Sequence, residues 1–130
     1  MNAAPRKKVQ VKVGPIVDQL WQLLRADEFD KRAWEKIAAT DLHVRIGNIS
    51  TTIGKEAALG HLGQFLSRVD SIGGGFAAVW QRQETVFAET EVQFMDEAHR
   101  PQSIPCTIVA RVAHGNLCDL RIHLDPSPIP

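Results

Sequence analysis

From residue 15 onward the hydrophobic spacing along the chain changes period several times. Over 15–26, PIVDQLWQLLRA, the residues Ile16, Leu20, Leu23 and Leu24 recur with Val17 and Trp21 on one stripe. That spacing predicts an amphipathic helix with Pro15 in its first turn. Over 28–39, EFDKRAWEKIAA, the residues Phe29, Ala33, Trp34, Ile37 and Ala38 predict a second, shorter helix, antiparallel to the first or bent from it. The period then drops to two. Leu42, Val44 and Ile46 alternate with His43, Arg45 and Gly47, a half-buried strand. Residues 49–53 predict a short strand paired with it. Gly54-Lys55-Glu56 opens a third helix running to about Val69, with Ala58, Leu62, Phe65, Leu66 and Val69 on its buried side. After a glycine-rich loop, SIGGG, come four strand-like stretches: FAAVWQRQ, ETVFAETEVQFM, SIPCTIVARVAH and NLCDLRIHLD. The strongest turn signals between them are Asp96 to Gln102, with Pro101, and His114-Gly115-Asn116. Pro126-Ser127-Pro128-Ile129-Pro130 cannot continue a central strand. Helices gathered on one face of a curved, mainly antiparallel sheet make an α+β domain.

Length and charge narrow this further. A chain of 130 residues supports one domain with a real core. Residues 1–14, with Arg6-Lys7-Lys8 and Lys12, read as a flexible arm, and 15–130 as a single domain. Lysine plus arginine balances aspartate plus glutamate at 15 each, so the field that draws nucleic acid or anionic lipid is missing. No apolar run approaches the ~20 residues of a membrane span. The first residues lack the apolar core of a signal peptide, so the expected location is cytoplasmic. Cys106 and Cys118 read as two reduced thiols on adjacent strands. The five histidines show no metal-ligand spacing, and neither a P-loop nor a G-x-G-x-x-G occurs. Neither metal nor cofactor is expected.

Residues 88–94, AETEVQF, pose the functional question. Glu89 and Glu91 are two apart in a strand and share a face, while Val86, Ala88, Thr90, Val92 and Phe94 share the other. Alternation alone predicts that the glutamates face water.

The C-terminal half resembles the SnoaL-like branch of the nuclear transport factor 2-like superfamily. The resemblance rests on Glu89-x-Glu91-Val92, then Ile104-Pro105, then Val109-Ala110-Arg111-Val112, then Asp119-Leu120-Arg121-Ile122-His123-Leu124-Asp125-Pro126-Ser127-Pro128. Gly54-Lys55-Glu56-Ala57, opening the third helix, also fits. The resemblance spans the chain from about residue 15. It implies a cone-shaped α+β barrel, a strongly curved sheet wrapped around about three helices, with an apolar pocket open at one end. It further implies a small apolar organic ligand and a homodimer joined through the outer sheet face. Fold alone does not set the activity.

Among relatives of this kind, the limonene epoxide hydrolases pair two aspartates through an arginine. Aligned with them, the arginine falls on Glu89, its aspartate on Glu91, the last-strand aspartate on Ile122 and a tyrosine on about Ile46. Only an asparagine is kept, as Asn48. The bridging cation and the second acid are gone, so epoxide hydrolysis of that type is a distant alternative. The same alignment turns Glu89, Glu91 and Gln93 toward the pocket, against the simple alternation. It turns Ile104, Cys106, Ile108 and Ala110 inward, with Leu120, Ile122 and Leu124, and leaves Val92 and Phe94 outside near Val109 as an apolar dimer patch. The implied catalytic set is Glu91 and Glu89 as acid and base, with Asn48 polarising an oxygen, for a cofactor-free isomerisation, cyclisation or dehydration. The implied pocket wall is Trp21, Trp34, Ile46, His61, Phe65, Trp80, Cys106, Ile108, Ile122 and Leu124. The competing reading is a non-catalytic ligand-binding or dimeric interaction module. It gains if the glutamates are exposed and the cone is filled by side chains.

Overall fold

The structure is a computed structural model that describes residues 14–73 and 78–130. The expected arm at 1–14 lies almost wholly outside the described residues, as do Gly74 and Gly75 of the glycine loop.

Helix α1, Gly14–Arg25, buries Val17, Leu20, Trp21 and Leu24, the stripe its spacing predicts. Helix α2, Lys31–Ile37, starts where the Asp30 side chain accepts the backbone N–H of Ala33 at 3.1 Å. It ends two residues before the predicted boundary, because Ala38 turns extended and enters strand β1, Ala38–Ile46. Helix α3, Lys55–Leu66, follows Gly54, whose φ of +105° only glycine adopts freely. It stops at Leu66 rather than near Val69. The remaining strands are β2 (Thr52–Ile53), β3 (Ser71–Ile72), β4 (Ala78–Arg82), β5 (Thr85–Met95), β6 (Pro101–Ala113) and β7 (Asn116–His123). Ser71–Ile72, expected as part of a loop, pairs with Gln93 and Val92 of β5.

These strands form one sheet of seven in the order β2-β1-β7-β6-β5-β3, with β4 also on β5. Every pairing is antiparallel except β1 with β7, which is parallel. The sheet curls around the helices as a cone-shaped α+β barrel. The long β5–β6 ladder runs from Thr85 opposite Arg111 to Met95 opposite Pro101 without a bulge. Asp96 shapes its turn: Oδ1 accepts the N–H groups of Ala98 and Arg100 at 2.8 and 2.9 Å.

The core fills the inside of the curl. Leu42, Val44 and Ile46 of β1, Val92 of β5, Ile108 and Ala110 of β6, and Leu120 and Ile122 of β7 meet Leu59 and Leu62 of α3 and Trp34 of α2. All are at most 1% exposed. Away from Ile46, a void able to hold water beside any of them would leave accessible surface there, so this part of the cone is packed solid. Trp34 stacks on Phe29 with ring centroids 6.3 Å apart.

Candidate functional site

Burial in β5 alternates without a break. Val86, Ala88, Thr90, Val92 and Phe94 are buried, and Phe87, Glu89, Glu91 and Met95 are exposed. The pocket-facing orientation implied for Glu89 and Glu91 is therefore corrected: both lie on the outer, solvent face. The cause is the ladder register. Thr90 pairs with Cys106, Val92 with Ile104 and Ala88 with Ile108, so that set shares the inward face of β6. Glu91 pairs with Pro105 and Glu89 with Thr107, on the other side. Reversing the phase would expose Val86, Val92 and Phe94, at about 1.5–3 kcal/mol each, and bury two carboxylates at several kcal/mol apiece. Val92 and Phe94 are correspondingly core residues and not the outer patch. The inward sets expected for β6 and β7 agree with the structure, with Ile104 and Leu124 half-buried against the core.

The other candidate residues disperse. Trp21, Trp34, Phe65, Cys106, Ile108 and Ile122 are core. Burial pushes the Cys106 thiol up to about 12. His61 is half-buried on α3 and its Nδ1 lies 3.0 Å from the Thr52 hydroxyl, a structural tie between helix and β2. Trp80 is 47% exposed on the outer face, opposite Phe87, which in turn stands opposite Val109.

Three candidates do meet, at the open end of the cone. Ile46, Asn48 and Leu124 line a cleft of about 580 Å³ together with Ile49, Arg68, Asp125, Pro126, Ser127 and Ile129. Its volume suits a small organic molecule. Ile46 ends β1, and the chain turns at Gly47, whose φ is +60° and whose N–H donates to Ile122 O at 2.9 Å. Beyond β7, Leu124 to Ile129 fold back across the mouth. Its walls are apolar and polar in about equal parts; Asn48 offers an amide, Ser127 a hydroxyl, and Arg68 and Asp125 the charges. The Ser127 N–H on Asp125 Oδ1, 3.0 Å away, holds that carboxyl below its ordinary range. It is an ionised, weak base, poorly matched to general acid–base work near neutral pH.

Sequence reasoning missed Arg68 and Ile129. A cation just past the last turn of an amphipathic helix, and one isoleucine alone among prolines and serine, were the available signals. Among the described residues, no group of three or more His, Cys, Asp or Glu side chains converges as a metal site would. None of their helices is long and apolar enough to cross a membrane.

No family model and no curated protein matches the sequence. Solved structures do match. A SnoaL-like polyketide cyclase from a Jannaschia species is similar over 96% of this chain and 91% of its own, at TM-score 0.73 and 12% identity. A protein with a ketosteroid isomerase-like fold from Catenulispora acidiphila, solved with trimethylamine, covers 91% of each chain at TM-score 0.72 and 12% identity. A de novo designed protein with a curved β-sheet covers 86% of each chain at TM-score 0.70 and 18% identity.

Proposed function

We propose, from the cone-shaped fold that the chain shares with the SnoaL-like, nuclear transport factor 2-like proteins, that it is a non-catalytic binding module, a homodimer holding a small, mostly apolar organic molecule at the mouth of each cone. One observation carries the reading. The cleft at the mouth is walled by Ile46, Ile49, Leu124, Pro126 and Ile129, while the strand acids stand on the far side of the sheet. An acid–base pair at Glu89 and Glu91 does not reach a molecule in the cleft, so the isomerase, cyclase, lyase and epoxide hydrolase alternatives lose both acids they rested on and keep only Asn48.

The dimer rests on the outer face. Trp80, Phe87 and Val109 form an apolar row across β4, β5 and β6. Glu89 and Glu91 flank it on one side, and Arg82 and Arg111 on the other, all exposed. Such a patch complements itself across a two-fold axis, acid against base around an apolar centre.

The test is ligand-observed NMR with a terpenoid alcohol, a steroid and an aromatic lactone. At least one class is expected to bind. Ile49→Asp, which places a charge on an exposed cleft residue, abolishes that binding, while the Glu89→Gln, Glu91→Gln double variant binds as the parent does. Loss of binding in the double variant, or turnover of a probe that the double variant loses, would return the glutamates to an active site.

A further inference from the structure

Two charged side chains line the cleft at the mouth, and they do not meet. Arg68 is turned to the end of the chain: its Nε donates to a Pro130 oxygen at 3.1 Å and its Nη2 to Ile129 O at 3.2 Å. In this 130-residue chain the Pro130 oxygen belongs to a terminal carboxylate, so the guanidinium already faces an anion. Asp125 is left without a cation: none of the ion pairs among the described residues includes it. Its Oδ1 accepts the Ser127 N–H at 3.0 Å, an Asx turn that fixes the carboxyl on the cleft. A carboxylate has about four acceptor sites, and the Ser127 N–H and hydroxyl together leave some of them open. Asn48, on the same cleft, adds an amide oxygen. The cleft therefore offers acceptors and one unmatched negative charge beside the apolar side chains of Ile46, Ile49 and Leu124.

We propose that the molecule held at the mouth is an apolar primary amine, bound as its ammonium ion to Asp125 with its hydrocarbon against Ile46, Ile49 and Leu124. The proposal rests on the binding reading above and adds to it the charge and the donor chemistry of the ligand. An alkylammonium group carries three donors and no acceptor, the complement of a carboxylate beside an amide oxygen. The Ser127 N–H, joined by its hydroxyl, holds the Asp125 carboxyl below its ordinary range. An alkylammonium gives up its proton only at about 10.4, as lysine does, so both partners are charged at pH 7. Asp125 is exposed, and water screens the pair. The ion pair therefore selects among ligands of one shape, and the hydrocarbon supplies most of the affinity. A ligand carboxylate would be repelled by Asp125 and would find Arg68 already met.

Hexylamine, hexanol and hexanoate, matched in hydrocarbon, are the probes, read by ligand-observed NMR titration of the full chain at pH 7 and low salt. Hexylamine binds about fivefold tighter than hexanol, the upper end of what an exposed ion pair supplies. Hexanoate binds no tighter than hexanol. Asp125→Asn brings hexylamine down to hexanol and leaves hexanol unchanged. Asparagine still accepts the Ser127 N–H, so the turn survives the exchange. The Glu89→Gln, Glu91→Gln double variant keeps the preference, which locates the ammonium at the mouth and not on the outer sheet face. Equal binding of amine and alcohol overturns the proposal while leaving the binding reading standing. So does tighter binding of hexanoate, or an amine preference that survives Asp125→Asn or disappears in the double variant. A cleft that binds the panel of the preceding test and none of the three hexyl probes overturns it as well. If neither the probes nor that panel bind, both readings fall.

Discussion

Glu91 stands directly opposite Pro105 on the β5–β6 ladder, on the solvent side of the sheet, and its carboxylate accepts a hydrogen bond from the Ser103 hydroxyl. One residue earlier, Thr90 stands opposite Cys106 on the inside. The two faces of β5 should answer mutation in opposite ways. Glu89→Gln and Glu91→Gln each change stability by no more than about 0.5 kcal/mol. Ala88→Glu, at a position with no exposure, buries a charge among apolar side chains and costs about 3 kcal/mol or more, enough to threaten folding. Urea denaturation of the three variants measures both effects. A large loss from either glutamine, with little from Ala88→Glu, would mean the strand phase is reversed.

The outer row of Trp80, Phe87 and Val109 gives a second expectation. Phe87→Glu places a charge at the centre of the proposed two-fold contact and weakens self-association by at least about a hundredfold, some 2.7 kcal/mol. Because Phe87 is already 36% exposed, the monomer should lose little stability. Sedimentation equilibrium across a concentration series separates the two quantities. A parent chain that sediments as a monomer at every concentration removes the homodimer.

The two thiols should differ in reactivity and in their effect on stability. Burial is the cause of the rise in both, and in Cys118 the nearby Arg111 charge opposes it. Cys118 is only half-buried, so at pH 8 iodoacetamide should modify it first, with Cys106 protected until the chain unfolds. The folded Cys106 thiol ionises near 12 against 9.0 for the free side chain. Between those values the native state keeps a proton that the unfolded state has lost. Stability conferred by Cys106 is therefore complete below about pH 9 and is lost as pH rises toward 12. Cys106→Ala should flatten that decline in a pH series of urea midpoints.

Gly47 tests how the mouth is built. Alanine there is strained at φ +60° and brings its Cβ to 3.2 Å from Pro126 Cδ. The left-handed conformation alone costs about 1–2 kcal/mol. Gly47→Ala should lower stability by about that much and speed hydrogen exchange at Ile129, whose turn begins at Pro126. Gly115→Ala, with φ +79° and no atom near its Cβ, is the control: it carries similar strain with no effect at Ile129.

The amino-acid sequence by itself determined the elements and the face each presents. The stripe in α1, the Asp30 cap of α2 and the alternation in β1, β5, β6 and β7 are local, because the periods of 3.6 and 2 are set by backbone geometry. Alternation in AETEVQF was correct about its wet face. The family alignment that reversed it compared positions without a ladder to pair them, and it asked Glu91 and Cys106 to share one face. Only the tertiary structure could refuse that, because Thr90, not Glu91, lies opposite Cys106, and paired residues across a sheet point the same way. The cleft is nonlocal in the same sense. Ile46, Arg68 and Ile129 come from a strand end, a helix end and a proline-rich segment, and no spacing along the chain brings them together. Folding back of the last residues does so, because burying one isoleucine side chain and seating the Ile129 and Pro130 oxygens on one guanidinium is more favourable than leaving them in water.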